Sequence, residues 1–458
     1  MVNMNIQEYV ERARKAMEEI KGYTQEQVDS LVYAAAKVVY DNAEALAEEA
    51  VEETGLGRVP DKIFKNTETA LILWDYLKDK KSVGIINEIP EQGVYEVAHP
   101  VGVVALITPA TNPTITPLGN FMQVVKGKNA GIVCPAPRSR KTSYDTVELI
   151  REAIARLGAP KDLIQCIPEP TINMSAELMS ACDLIVATGS FGLTKAAYSS
   201  GKPAYAVGPG NAIAIIDKNY DDIEGFAADM IPSVVYDNGI PCDDADVLLY
   251  PNEERERVFE ALEKEGMYII DDPKVNEAIK EVLFFEMTPI SQFVGASAER
   301  IAKAADVEIP EGTEVIGLVV PQEGYDEVLN HEIMGPILSL RGYDTFEQGV
   351  DMMVRNLVEC GGVGHSAAVF SNNEENIKKA AMKVPVSRLL INQPTSDAWG
   401  PITNALTPAV SEGCGTWGNN ILAGNVDYIH FLNVSKAVKR LDVEHPDGEQ
   451  VFSKETLY

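Results

Sequence analysis

The chain has 458 residues, 39 basic and 69 acidic, for a formal charge of −30. A field of that sign repels nucleic acid and anionic membranes, so neither is expected as a partner, and any bound nucleotide phosphate needs a local site of opposite potential. Apolar residues at 45% are ordinary for a globular protein, and the length exceeds one simple core, so two or three structural units are expected.

Six cysteines, Cys134, Cys166, Cys182, Cys242, Cys360 and Cys414, form no CxxC pair. That spacing argues against a disulfide framework and a zinc cluster, and no metal site is expected. Met1-Val2-Asn3 does not open a secretory leader and no apolar run reaches transmembrane length, so the expected location is cytoplasmic and reducing.

The first 55 or so residues read as helix. Ile6, Val10, Ala13, Met17 and Ile20 fall on one face, and a second run rich in Ala, Val and Glu extends from about 25 to 53. Strands are expected at Val94–Val97 and Val101–Ile107. Strands at 129–134, 163–166 and 184–187 then alternate with helices at 143–157 and 175–180. Such alternation implies a mostly parallel α/β sheet covered on both faces. A second α/β unit is expected from about Ile231, with strands at 247–250, 313–319 and 367–370 and a helix at 253–263. The alternating run Tyr428–Leu432 reads as a strand that pairs with another subunit.

Ligands bind beyond the strand ends of parallel sheets, so the segments there carry the candidates. Thr108-Pro109-Ala110-Thr111-Asn112-Pro113 pins Asn112 beside two prolines; its amide N–H could stabilise an oxyanion, or the segment is a plain turn. Pro135, Ala136, Pro137, Arg138 and Arg140 form a rigid cationic loop before a helix, suited to ribose and phosphate or simply solubilising. Gly189-Ser190 offers small residues where a pyrophosphate could approach, and Gly208 and Gly210 let the backbone bend near a ligand. Glu332 before a turn could accept ribose hydroxyls, or be an ordinary solvated glutamate. His365 is either a structural histidine or a general base.

Cys242 ends the stretch Tyr236-Asp237-Asn238-Gly239-Ile240-Pro241-Cys242. Gly239 permits a bend and Pro241 holds Ile240 extended, a setting that can present a nucleophilic sulfur to a cleft. A free cysteine is otherwise most often a buried structural thiol.

In order, these segments resemble the aldehyde dehydrogenase superfamily over about residues 5–440, and within it the CoA-acylating branch. The most specific pieces are 236–242, 197–204 with 207–211, Gly364-His365-Ser366, and Gly413-Cys414-Gly415-Thr416-Trp417-Gly418-Asn419-Asn420. The resemblance implies a Rossmann-type cofactor domain over 1–230, with bridging strands at 85–100 and 405–425 as a segment that can return to it. It implies an α/β catalytic domain over 231–404 and an oligomerisation strand segment over 426–458 of a homodimer or homotetramer. It also implies that Cys242 attacks an aldehyde and that the oxyanion sits between Asn112 and the Cys242 N–H. Hydride passes to NAD or NADP, held at Thr108, Pro109, the 135–140 loop, Gly189, Ser190, Gly208 and Glu332, and coenzyme A takes the acyl group.

Hydrolytic relatives carry a water-activating glutamate where this chain has Ala206, so a thiol is the expected acceptor, with His365 helping to deprotonate it. Thr54-Gly55-Leu56-Gly57, Asp61-Lys62-Ile63 and Asn392-Gln393-Pro394 resemble a subgroup acting on succinate semialdehyde or sulfoacetaldehyde. Arg388 is then the candidate for an anionic tail, and Trp399 for narrowing the pocket. Two departures stand out. Asp243 and Asp244 follow the cysteine and should oppose its thiolate unless solvent screens them, and Ala136 stands where relatives often have histidine. The aspartates leave a non-catalytic nucleotide-binding or scaffold protein as an alternative, beside a hydrolytic or phosphorylating dehydrogenase.

Overall fold

The computed structural model describes residues 5–452; the reading of Met1-Val2-Asn3 and the last six residues of the tail segment lie outside them. Four helices lead the chain: Ile6–Glu19, Gln25–Asp41, Ala43–Thr54 and Val59–Leu77. The expected single run from 25 to 53 is thus two helices, broken at Asn42. Thr24 caps the first with a reciprocal Gln27 bond, and Gly55 closes the second in a left-handed conformation.

Five parallel strands follow, in the spatial order Ile164–Cys166, Ala130–Pro135, Val103–Thr108, Leu184–Thr188, Ala204–Val207. Val103–Thr108 and Ala130–Pro135 are buried throughout, as their unbroken apolar runs require. A second, seven-stranded parallel sheet has the order Met267–Ile270, Val315–Val319, Ile337–Tyr343, Ala245–Pro251, Ala212–Ile216, Gly364–Phe370, Val386–Ile391. Because Ala212–Ile216 already belongs to this larger sheet, the chain changes sheets at about 208–211. The boundary expected near 230 falls instead inside the helix Ile223–Val235. The apolar strand 212–216 carries no turn signal that separates it from the preceding unit except Gly208-Pro209-Gly210.

The third sheet is antiparallel: Gly84–Ile89, Val94–Pro100 and Leu432–Val438. The expected strand at 428–432 is corrected. Tyr428–Phe431 is a 3-10 turn, because Asp427 caps it and its own N–H donates to His430 Nδ1 at 2.8 Å. The strand begins at Leu432 and pairs with Val94–Pro100 of the same chain. The short hairpin Glu412–Cys414 with Ala423–Asn425 sits where the two parallel sheets meet, and Ser411 reaches Thr188 at 3.2 Å.

Candidate active site

A cavity of about 410 Å³ opens between the strand ends of the two sheets. From the smaller sheet it receives Pro109, Asn112, Gly189, Ser190 and Gly208; from the larger, Cys242, Asp243 and Glu332; and from the hairpin, Glu412. Trp399 and Tyr236 supply aromatic wall, and the helix Val59–Leu77 contributes Phe64, Lys65, Glu68 and Thr69, which share a face at helical spacing.

The turn that presents Cys242 starts earlier than Gly239. Asp237, Asn238 and Gly239 all take left-handed φ, of 52°, 58° and 65°. A Cβ at Gly239 would meet the Gly335 carbonyl at 2.4 Å, so this turn packs against the 332–336 loop only with glycine. Asp237 is held in its unusual backbone by what its side chain binds. Oδ1 accepts from the Arg58 N–H at 2.9 Å, and Oδ2 accepts from Lys62 Nζ at 2.8 Å and Lys65 Nζ at 2.7 Å. Burial opposes the charge on Asp237, but Lys65 and Lys62 hold its carboxyl below the usual range. Burial pushes Lys62 down to about 8 despite Asp237.

Lys65 also fixes Asn112. Its ammonium donates to Asn112 Oδ1 at 3.0 Å. An ammonium has no acceptor, so the amide oxygen must face it and the Nδ2 donors turn the other way. Among the described residues those donors bind no group of the protein, and neither does the Cys242 N–H. Two donors are therefore available on one cavity. Gly210 joins the second pair of elements. Its N–H donates to Glu332 Oε1 at 2.9 Å, and a Cβ there would fall 1.7 Å from the Cys242 carbonyl oxygen. Burial pushes the Glu332 carboxyl up to about 7.

Cys242 is half-buried and faces the cavity; the other five cysteines are buried. Burial, then Glu412 and Asp243, push its thiol well above the usual range. Asp243 and Asp244 are 6% and 5% exposed, so solvent does not screen them. Burial pushes both carboxyls well up, which favours their neutral forms.

Several expected residues lie away from this cavity. His365 is fully buried behind it; burial and then Arg388 hold it well below the usual histidine range. Arg388 is corrected from substrate contact to framework: it is 2% exposed and donates to Ser366 Oγ and to the carbonyls of Gly413 and His365. The 135–140 loop does not line the cavity either. Arg138 donates to the Thr54 and Ser291 carbonyls, and Arg140 pairs with Glu169 at 3.1 Å. The helix start expected to take a phosphate is occupied by the Glu53 carboxylate, which accepts from the Lys141 and Thr142 N–H groups at 2.8 and 2.7 Å. Thr108 ends its strand with a buried hydroxyl that has no partner. Ala206 packs into the apolar core of the smaller sheet, not the cavity.

The sequence reading missed Lys62, Lys65 and Glu412, and assigned no role to Asp237. The two lysines had a signal: they sit three apart on the stripe that continues through Asn66, Thr69 and Leu73, which is the buried face of their helix. Glu412 had none beyond preceding Gly413.

The model of the Aldehyde dehydrogenase family matches residues 2–281. The chain is 43% identical over 94% of its length, and 95% of the relative's, to the succinate-semialdehyde dehydrogenase (acetylating) of Clostridium kluyveri. It superposes on an acetylating aldehyde dehydrogenase from Geobacillus thermoglucosidasius with a TM-score of 0.93 and 33% identity, covering 96% and 97% of the two chains. A propionaldehyde dehydrogenase from Rhodopseudomonas palustris, with bound CoA and an acylated cysteine, superposes with a TM-score of 0.85 and 25% identity over 96% and 98%.

Proposed function

The chain belongs to the aldehyde dehydrogenase family and is an acylating oxidoreductase acting on aldehydes; from that premise we propose that Cys242 carries the acyl group between the aldehyde and coenzyme A. The observation that supports this most directly is the arrangement around one cavity. Cys242 faces it, Asn112 offers oriented N–H donors to it, and the 206–210 segment brings no carboxylate to it. The sulfur adds to the aldehyde carbonyl, and the resulting oxyanion is stabilised by Asn112 and the Cys242 N–H. Loss of hydride leaves a thioester on Cys242, and thiol exchange with CoA releases the product.

The residues present fit a nicotinamide dinucleotide. The Thr108 hydroxyl is an orphaned donor at a strand end, Glu332 retains a carboxyl oxygen without a partner, and Gly189-Ser190 precedes the helix Phe191–Ser199. When bound, that cofactor supplies the hydride acceptor. With Arg138 and Arg140 already engaged, NAD+ is the first form to test.

For the aldehyde we propose a small substrate with an anionic tail, succinate semialdehyde or sulfoacetaldehyde. Lys65 takes the place earlier given to Arg388, as the one cation lining the cavity among the described residues. Lys62, Lys65 and Asp237 together leave one positive charge beside it. We further propose that the three-stranded sheet, with Ile85, Val434 and Val438 exposed, joins subunits.

One assay decides the chemistry: reduction of NAD+ or NADP+ with these aldehydes and with butanal, with and without CoA. Acyl-CoA formed only when CoA is present is expected; turnover to a free acid without CoA overturns the acylating reading.

A further inference from the structure

Thiol exchange moves a proton as well as an acyl group. The incoming thiol must lose one, and a cysteine sulfur of high proton affinity leaves poorly without one. The expected base, His365, does not reach the cavity. Glu412 does. It is 6% exposed, and its Oε2 is buried without a hydrogen bond, 3.5 Å from Arg388 Nε and 3.9 Å from His365 Nε2. His365 Nε2 is also unpartnered, while Nδ1 lies 3.1 Å from Ser366 Oγ. Ser366 Oγ also accepts from Arg388 Nε at 3.1 Å, which ties the three side chains together. His365 Nε2 thus faces Glu412 Oε2 with no hydrogen bond between them.

We propose that Glu412 is the proton carrier of thiol exchange, taking the proton of the incoming CoA thiol and returning it to the sulfur of Cys242 as that sulfur leaves. The proposal rests on the acylating reading above. The carbon–sulfur bond to CoA forms, the carbon–sulfur bond to Cys242 breaks, no oxidation state changes, and the proton passes from one sulfur to the other through one carboxyl group. Arg388, 3.5 Å away, is the positioning residue that stabilises the ionised form of Glu412.

The groups facing Glu412 make such a carrier workable. His365 comes from the strand Gly364–Phe370, Arg388 from Val386–Ile391, Cys414 from its own strand, and Cys242 and Asp243 from the turn after Asn238; Lys65 lines the same cavity from its helix. Burial raises Glu412, and Arg388 opposes that from the strand behind it. Glu332, by contrast, is tied to Gly210.

The test compares the wild type with Glu412→Gln and Glu412→Asp, using the full-length protein, NAD+ and succinate semialdehyde. Rapid mixing without CoA reads the NADH burst of acyl-enzyme formation, and steady state with CoA reads exchange. Glu412→Gln is expected to keep the burst amplitude, to lose about 10²-fold in CoA-dependent turnover, and to lose the rising limb of its pH profile. Glu412→Asp restores part of the turnover. Thiols more acidic than CoA narrow the gap between Gln variant and wild type, which a merely structural role would not do. Unchanged turnover and pH profile in Glu412→Gln would overturn the proposal, as would equal loss of burst and turnover in both variants. A wild type that makes free acid without CoA overturns the acylating reading and this proposal with it, and is recognised without any variant.

Discussion

The cavity has two charged walls, and they solve the burial of charge in opposite ways. On the helix wall, Lys62 and Lys65 close on Asp237 at 2.8 and 2.7 Å, and the carboxylate stays ionised. On the strand wall, Asp243, Asp244 and Glu412 have no hydrogen-bonded cation among the described residues, both oxygens of Asp244 are unpartnered there, and burial raises all three. A paired buried charge is fixed in place and can orient a neighbour, as Lys65 orients Asn112. A buried acid without such bonds has its neutral form favoured, and it can hold or release a proton. The same low-dielectric surroundings thus produce a positioning wall and a proton-holding wall, with Cys242 between them.

The largest effect is expected where the walls meet. Cys242→Ala should lower aldehyde-dependent NADH formation by about 10⁴-fold, while NAD+ binding, followed by fluorescence titration, is retained. Activity above a hundredth of wild type would place the nucleophile elsewhere. On the helix wall, Lys65→Met should cost about 10²–10³-fold in kcat, because the Asn112 amide loses what orients it. It should also cost about 3 kcal/mol of stability, because Asp237 loses one of its two cations. Adding Asp237→Asn should recover stability in urea melts but not kcat. Recovery of both would reduce Lys65 to a structural partner and break the comparison.

The two walls were not equally legible in the sequence. The cavity's backbone frame could be read, because glycines, prolines and strand ends announce themselves locally: Pro109, Gly189, Gly208 and the turn to Cys242 all line it. The parallel α/β character followed from alternating periods. The charged walls depend on contacts across long separations, such as Lys65 with Asp237 at 172 residues apart, which no local pattern encodes. The same blindness made Arg388 look like a substrate ligand and Arg138 a phosphate ligand. Their partners are mostly backbone carbonyls, which sequence never displays. Whether solvent screens Asp243 and Asp244 could not be read from their neighbours in the sequence; the structure buries both.

A smaller effect probes the strand wall directly. Asp243→Asn replaces a neutral carboxyl by a neutral amide of similar shape, so near pH 7 the alkylation rate of Cys242 by iodoacetamide should hardly change. As pH rises, the wild type must ionise Asp243 beside the thiol, and the variant need not. The midpoint of the alkylation profile should therefore fall in the variant, with rates differing by under about 10-fold at pH 9. Coincident profiles across the whole range would mean that Asp243 is already ionised and screened, and the wall would not be neutral.

Glu332 supplies the finest test, because it crosses between the two behaviours. Its carboxyl is pushed up to about 7 by burial, above its ordinary value. For a group raised on folding, the folded state binds more protons than the unfolded one between the ordinary carboxylate range and pH 7. Its contribution is fully present below that range and is lost as pH rises through 7. At pH 8 the loss is at most about 3 kcal/mol. His365, lowered on folding, acts the other way, losing stability as pH falls below its ordinary value; Asp243, Asp244 and Glu412 act in the same sense as Glu332. The difference between wild type and Glu332→Gln isolates the one residue. Between pH 5 and 8, without nucleotide, the wild-type Tm should fall more steeply than that of the variant, and the two curves should separate mainly between pH 5 and 7.5. Parallel curves would show that the Gly210 N–H already keeps Glu332 ionised, which would move it from the proton-holding wall to the positioning one.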